Sequence, residues 1–338
     1  MKFFAFAIIA VSTTLCAQAP NGSGGTATGF SIPALGFISG QAPAQLQPIL
    51  GIPGSARLGS PLLLPSTVTG IHIAPGHAYA LLQQGPSNPV SMVLLQGITA
   101  QTQNVQLTPI PGTIGQVDLL AFSPMGTSAA IYSRETNQLQ VLAGLPRSPR
   151  LSRNLSNVAM TGAAQKLAVS DDAQLVLISD ATGSVYSVSQ NGAVTAVHHS
   201  PEISALAFVT RSHDSIICDR SLNTISLLRN FIATPFALGP AMNDTCQPEG
   251  AASTADGGTL LLACPAQHTV LAVNSASGLT RVYNVAASPT SLDRLAMGDV
   301  FLISPAEGGT YWLFVWQPTG LTASFIAAAP NGSQGSGH

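Results

Sequence analysis

The chain has 338 residues, of which only 8% are charged, and a formal net charge of -2. No basic field exists that would hold phosphate backbones or an anionic membrane surface, so nucleic acid is excluded as a partner. Abundant Gly, Pro, Ser, Thr and Ala with almost no Lys suit many short strands joined by turns, not long amphipathic helices.

The first element in chain order is the N-terminal MKFFAFAIIAVSTTLCAQAP, with one Lys at position 2, an apolar run from Phe3 to Val11 and small residues at Ala17 and Ala19. That is the pattern of a secretory signal peptide over residues 1–19. Cleavage after Ala17 is preferred, because a cut after Ala19 would place Pro20 beside it. Leu15 precedes Cys16 where lipoprotein processing wants a small residue. The apolar core falls well short of the roughly twenty residues a membrane-spanning helix needs, and no later run reaches that length. The sequence therefore predicts a secreted or periplasmic protein with no transmembrane segment. Residues 20–34 and 330–338 are rich in Gly, Ser and Pro and read as a disordered linker and tail, which leaves 35–329 as a single domain.

Next comes LGFISGQAPAQLQPILGIPGSARLGSPLLLP, two apolar runs split by a loop, much like the third and fourth strands of a larger unit. From Ile71 onward the chain repeats itself. IHIAPGHAYALLQQ, LLAFSPMGTSAAIYSR, LAVSDDAQLVLISD, LAFVTRSHDSIICD and AASTADGGTLLLAC share a strand-turn-strand plan, and LDRLAMGDVFLISP is a shorter sixth copy. The turns near Pro75, Pro124, Asp171, Arg211 and Ala255 recur every ~40 to 49 residues. Each copy continues into a third apolar run (VSMVLLQG, QLQVLAG, SVYSVSQ, TISLLRN, TVLAVN, TYWLFVW). A fourth run follows, clearest in GAVTAVHH, GLTRVYNV and GLTASFIAA. The first two runs are apolar on both faces and must be buried on both, whereas the fourth is more polar and suits a perimeter.

These repeats resemble those of the WD40/YVTN-like β-propeller superfamily, of a secreted bacterial type, over roughly residues 68–329. The resemblance is one of period and pattern, since the Trp-Asp and Gly-His signatures and the YVTN tetrapeptide are missing. It implies an all-β fold, a propeller of about six four-stranded antiparallel blades, with seven as the alternative count. The N-terminal pair of runs would close the ring, either as an accessory hairpin or within a shared seventh blade.

In such folds the connection from strand two to strand three and the link between blades emerge on one face, where ligands are commonly held. Candidate residues on that face are Arg134, Glu135, Asp180, Asp219, Arg220, His268 and Glu307. A metal-dependent, lactonase-like hydrolase would need acids converging on the central channel. The candidates are Asp118, Glu202, Glu249 and Asp293, one each near the start of four inner strands, and two acids shown to converge would be required before a metal is assigned. His198 and His199 are adjacent in a strand and point to opposite faces. His72, His77 and His213 have no ligand spacing. No nucleophile elbow, P-loop or dinucleotide fingerprint is present, so no catalytic residue, cofactor or metal is assigned.

With the leader removed, Cys218, Cys246 and Cys264 remain, enough for one internal bridge. Cys246 to Cys264 is the favoured pair, and Cys246 to Cys218 the alternative. Trp312, Phe314 and Trp316 alternate along one strand face, which reads as packing of the last blade before a glycan platform. The sequence thus predicts a monomeric, non-enzymatic binding or scaffold module for a protein, peptide or glycan; the alternative is the hydrolase.

Overall fold

The structure, a computed structural model, describes residues 33–39, 44–85, 92–98, 106–229, 232–236, 246–286, 288–296, 298–305, 310–317 and 319–326. Short strands rich in Leu, Ile, Val and Ala pair with their sequence neighbours into seven four-stranded antiparallel sheets. These are the blades of a propeller, at the upper of the two counts that the repeats allow.

Blade I holds β1 (Ala34–Ser39), β2 (Gln45–Leu50), β3 (Arg57–Leu58) and β4 (Leu62–Leu63). Blade II holds β5 (Val68–Ile73), β6 (Tyr79–Gln84), β7 (Met92–Gln96) and β8 (Gln106–Ile110). In blade III are β9 (Leu119–Phe122), β10 (Ser128–Ser133), β11 (Gln138–Ala143) and β12 (Arg150–Ser156). Blade IV follows with β13 (Ala164–Val169), β14 (Val176–Asp180), β15 (Ser184–Val188) and β16 (Val194–His199). Blade V has β17 (Ile203–Phe208), β18 (Ser215–Asp219), β19 (Thr224–Arg229) and β20 (Ile232–Phe236). β21 (Gly250–Ser253), β22 (Thr259–Cys264), β23 (Thr269–Asn274) and β24 (Thr280–Asn284) make blade VI. Blade VII is β25 (Pro289–Arg294), β26 (Val300–Pro305), β27 (Trp312–Gln317) and β28 (Gly320–Phe325).

The core is divided among seven apolar clusters, one per seam between neighbouring blades. Blades III and IV share Tyr132, Val141, Leu167 and Ile178, for example, while blades VI and VII share Leu261, Val270, Phe301 and Phe314. The ring closes where Leu35, Ile38 and Ile49 of blade I meet Leu302 and Leu313 of blade VII, and where Phe37 and Leu46 meet Leu82 and Val93 of blade II. The second strands of blades III, IV and V are buried at every position, as strands sandwiched between two neighbours must be. Perimeter strands such as β16 and β24 contain no fully buried residue.

Two faces follow from this plan. One carries the turns joining first to second strands, here the turn face. The other carries the second-to-third connections and the links between blades, here the link face. Turns are laced to one another across blades. The Asp171 carboxylate accepts the Met125 amide of blade III at 2.7 Å and the Arg211 amide of blade V at 2.8 Å, and Asp299 accepts the Ala255 amide at 2.6 Å.

Blade I departs from the plan. Its outer lane is shared by β3 and β4, which both pair with β2, so four strands fill three lanes. The Leu35 carbonyl accepts the Ala296 amide of the blade VII turn at 3.2 Å, while Ser39 lies beside Ile71 and Ser304 toward the link face. β1 therefore runs from turn face to link face, the direction of a second strand, and it packs against the second strands of both neighbours. The two apolar runs expected to resemble third and fourth strands occupy the second and third lanes of a blade of their own. They meet blade VII face to face, and among the described residues no strand pairing joins the two blades.

Candidate binding face

The residues singled out on the link face fall into two kinds. Asp180 and Asp219 end the second strands of blades IV and V and are buried, at 3% and 2% exposure. Each carboxylate ties the connection that follows it to the link that opens its own blade. Asp180 accepts the Thr161 hydroxyl at 2.7 Å, the Gly162 amide at 2.9 Å, and the Thr182 and Ser184 amides at 2.9 and 3.1 Å. Burial alone would raise its pKa; these donors outweigh it and hold the carboxyl at about 2. Asp219 accepts the Ser200 hydroxyl, the Glu202 amide at 2.9 Å and the Ser221 hydroxyl at 2.8 Å. Its pKa is also lowered, with burial again opposed by hydrogen bonds led by the Leu222 amide. Both carboxylates are taken up by the amides and hydroxyls of the turns they cap, as buried polar groups generally are.

Blade VI solves the same junction differently. Cys264 ends β22 in the place that Asp219 holds in blade V, and it is disulfide-bonded to Cys246 in the preceding link. The two cysteines are 18 residues apart, and Ser200 and Asp219 are 19 apart. Cys218 is buried and free, and burial pushes its thiol up to about 12.

Arginines make the second kind. Arg134 donates from Nε to the Ala164 carbonyl of blade IV at 3.0 Å, and its amide bonds to Asp118 at 2.7 Å. Arg220 stands 3.0 Å from Glu249 of blade VI and 3.6 Å from Glu202 of its own blade. Two of the four channel candidates are therefore brought together, by a guanidinium. Glu135 and His268 are exposed; His268 caps the short 3₁₀ turn Pro265–Gln267 and lies 3.3 Å from the Ser288 hydroxyl. Leu222, 56% exposed, adds an apolar side chain beside Arg220. Glu307 lies outside the described residues.

Asp118, Glu202 and Glu249 immediately precede β9, β17 and β21, at the link-face end of the ring. Asp293 does not share their height. It is the fifth residue of β25, some 13 Å further along at roughly 3.3 Å per residue, and lines the channel near the turn face. Its carboxyl is open to the channel, which is itself walled by protein, so burial raises its pKa against a 2.8 Å bond from Ser291. Among the described residues no three His, Cys, Asp or Glu side chains are grouped to hold a metal.

Sequence reasoning overlooked Arg294. Its guanidinium crosses the channel from blade VII, bonding the Ser253 carbonyl of blade VI, Thr210 of blade V at 3.2 Å and the Met125 sulfur of blade III at 3.6 Å. Phe301 lies under it at 5.8 Å, and burial lowers its pKa. A long cation at the end of an inner strand, next to the turn and beside the axis, was the available signal. His213 pairs with Asp172 of the neighbouring turn at 2.8 Å. Phe314 is fully buried, and Trp312 and Trp316 pack around it at the seam with blade VI.

No protein-family profile and no curated protein matches the chain. Among solved structures 1425 chains match. One, from the crystal structure of a mitotic checkpoint complex, is similar over 93% of this chain and 89% of that chain, with a TM-score of 0.54 at 10% identity. At that identity the likeness establishes the fold: the chain is a seven-bladed β-propeller.

Proposed function

We propose that the protein is a secreted, non-enzymatic binding module that acts as a monomer and presents its link face to a protein, peptide or glycan partner. The observation that carries this reading is the state of the charged groups there. Asp180 and Asp219 are spent on capping, and Glu202 and Glu249 are engaged by Arg220. Arg134, Glu135, Leu222 and His268 remain at the surface. That is a polar rim with an apolar contact, the composition of an interaction surface. A structural neighbour that belongs to a multiprotein complex is in keeping with it, and the N-terminal leader supports a site of action outside the cytoplasm.

The test is capture from the native culture supernatant on immobilised mature protein, compared with a link-face variant carrying Arg134→Glu, Leu222→Asp and His268→Asp. At least a tenfold loss of one captured species is expected, with capture unchanged in a perimeter variant, Thr195→Asp. Equal capture by all three proteins, or hydrolysis of lactones by the wild type, would overturn the reading.

A further inference from the structure

Blade VII carries an indole near the end of its third strand, where blade VI has a small polar residue. The Trp316 amide bonds to the Asp299 carbonyl at 2.9 Å, as the Ser275 amide bonds to the Gly258 carbonyl at 3.0 Å, so the two residues hold the same place in successive blades. Trp316 is half-buried in the seam, where Tyr283 meets it edge-on with ring centres 6.0 Å apart. It also lines a groove of about 330 Å³ between the turn-face ends of blades VI and VII, together with Asp256, Thr259, Asn274, Leu279 and Arg281. Leu279 is 73% exposed.

Two polar side chains of the groove are fixed by bonds that leave one atom of each unspent. Asn274 Oδ1 accepts the Ala276 and Ser277 amides at 3.1 and 2.8 Å and the Ser277 hydroxyl at 2.9 Å, which leaves Nδ2 as a donor. Asp256 Oδ1 accepts the Thr254 hydroxyl at 2.6 Å and the Gly258 amide at 2.8 Å, which leaves Oδ2 as an acceptor. Arg281 enters no ion pair among the described residues.

We propose that this groove is a saccharide site that takes a neutral oligosaccharide of glucose or N-acetylglucosamine units. A flat pyranose ring offers an apolar C–H face to an indole, and its equatorial hydroxyls both donate and accept. The groove supplies the complement: an aromatic side chain with a large apolar area, a fixed amide donor, a fixed carboxylate acceptor and a guanidinium. Opposite charges on Asp256 and Arg281 disfavour a ligand with net charge of either sign. Because Asn274 and Asp256 are already held by their turns, little ordering cost falls on binding. A purely aliphatic occupant would desolvate these polar groups without pairing them. The groove lies on the opposite side of the ring from the link face, and the assignment does not depend on the partner proposed there.

The chain has two tryptophans, so their indole N–H signals in a proton–nitrogen spectrum can be told apart with Trp312→Phe. The full mature chain is titrated with cellotetraose, tetra-N-acetylchitotetraose, maltotetraose and laminaritetraose. At least one should shift the Trp316 signal saturably, with a Kd of ~1 mM or below. Asn274→Asp and Asp256→Asn keep the Oδ1 acceptor and exchange only the unspent atom. Each should weaken that binding at least fivefold, about the worth of one hydrogen bond, with an unchanged melting temperature. Trp316→Ala should abolish it, and the link-face triple variant should bind as the wild type does. No saturable shift with any of the four sugars would overturn the proposal, as would binding unaltered by both exchanges. A stronger response to a capped leucyl-phenylalanine dipeptide than to every sugar would also overturn it, marking the groove as a peptide site.

Discussion

His77 holds blade I against blade II through a single nitrogen, and its acceptance of the Phe37 amide at Nδ1 requires the neutral ring. Burial keeps its pKa at about 4, against an ordinary 6.5. Between these values the unfolded chain binds a proton that the folded chain refuses. Stability that is complete above pH ~6.5 should therefore fall by about 3 kcal/mol as the pH drops to ~4. His72, whose pKa burial also lowers, adds in the same direction. Urea midpoints at pH 7 and pH 4.5 read this directly, and His77→Gln should flatten most of the difference while lowering the midpoint at pH 7. Identical wild-type midpoints at both values would refute it. Asp180 works in the opposite sense and at lower pH. Its depressed pKa contributes about 2 kcal/mol that is present above pH ~4 and lost as pH falls through 2. Asp180→Ala should cost at least that much at pH 7, measured by denaturant titration, because it also leaves buried amides without acceptors.

At the scale of the strand and its connection, blades V and VI invite a swap. Reducing or removing the Cys246–Cys264 bridge should cost roughly 2 to 4 kcal/mol. The pair Cys246→Ser with Cys264→Asp would rebuild the Ser200–Asp219 arrangement of blade V. It should recover at least half of the loss seen with Cys246→Ser, Cys264→Ser, and equal stability of the two double variants would show that the junctions are not equivalent. Hairpins of this kind were the most legible part of the sequence, because an apolar run on both sides of a short polar turn repeats six times. What the sequence hid was direction and height. The runs around Leu35 and Ile49 look alike in any lane, and only their packing shows that they are second and third strands. Asp180 and Asp219 read as ligand candidates because residue type does not reveal that the next turn's amides point back at the carboxylate. Asp293 seemed level with Glu202 and Glu249, but β25 already begins at Pro289, four residues before the acid, so Asp293 sits within the strand toward the turn face while the two glutamates precede theirs.

For the whole molecule, stability is shared among seven seams, and the seam between blades I and VII joins the two ends of the ring without a strand pairing across it among the described residues. Leu313→Ala there should cost 2–5 kcal/mol, the range for truncating a fully buried leucine. It should lower the single unfolding transition of the entire ring. A split of the melting curve into two transitions, with blades III to V retained, would show instead that the ring tolerates a break at its seam.

Arg294 acts as a strut shared by distant parts of the chain. Carried by blade VII, its guanidinium reaches the Ser253 carbonyl of blade VI, Thr210 of blade V and the Met125 sulfur of blade III. Blades far apart in sequence are thereby pinned to one side chain beside the axis, and a tilt of any one of them stretches a contact to a group that the others hold.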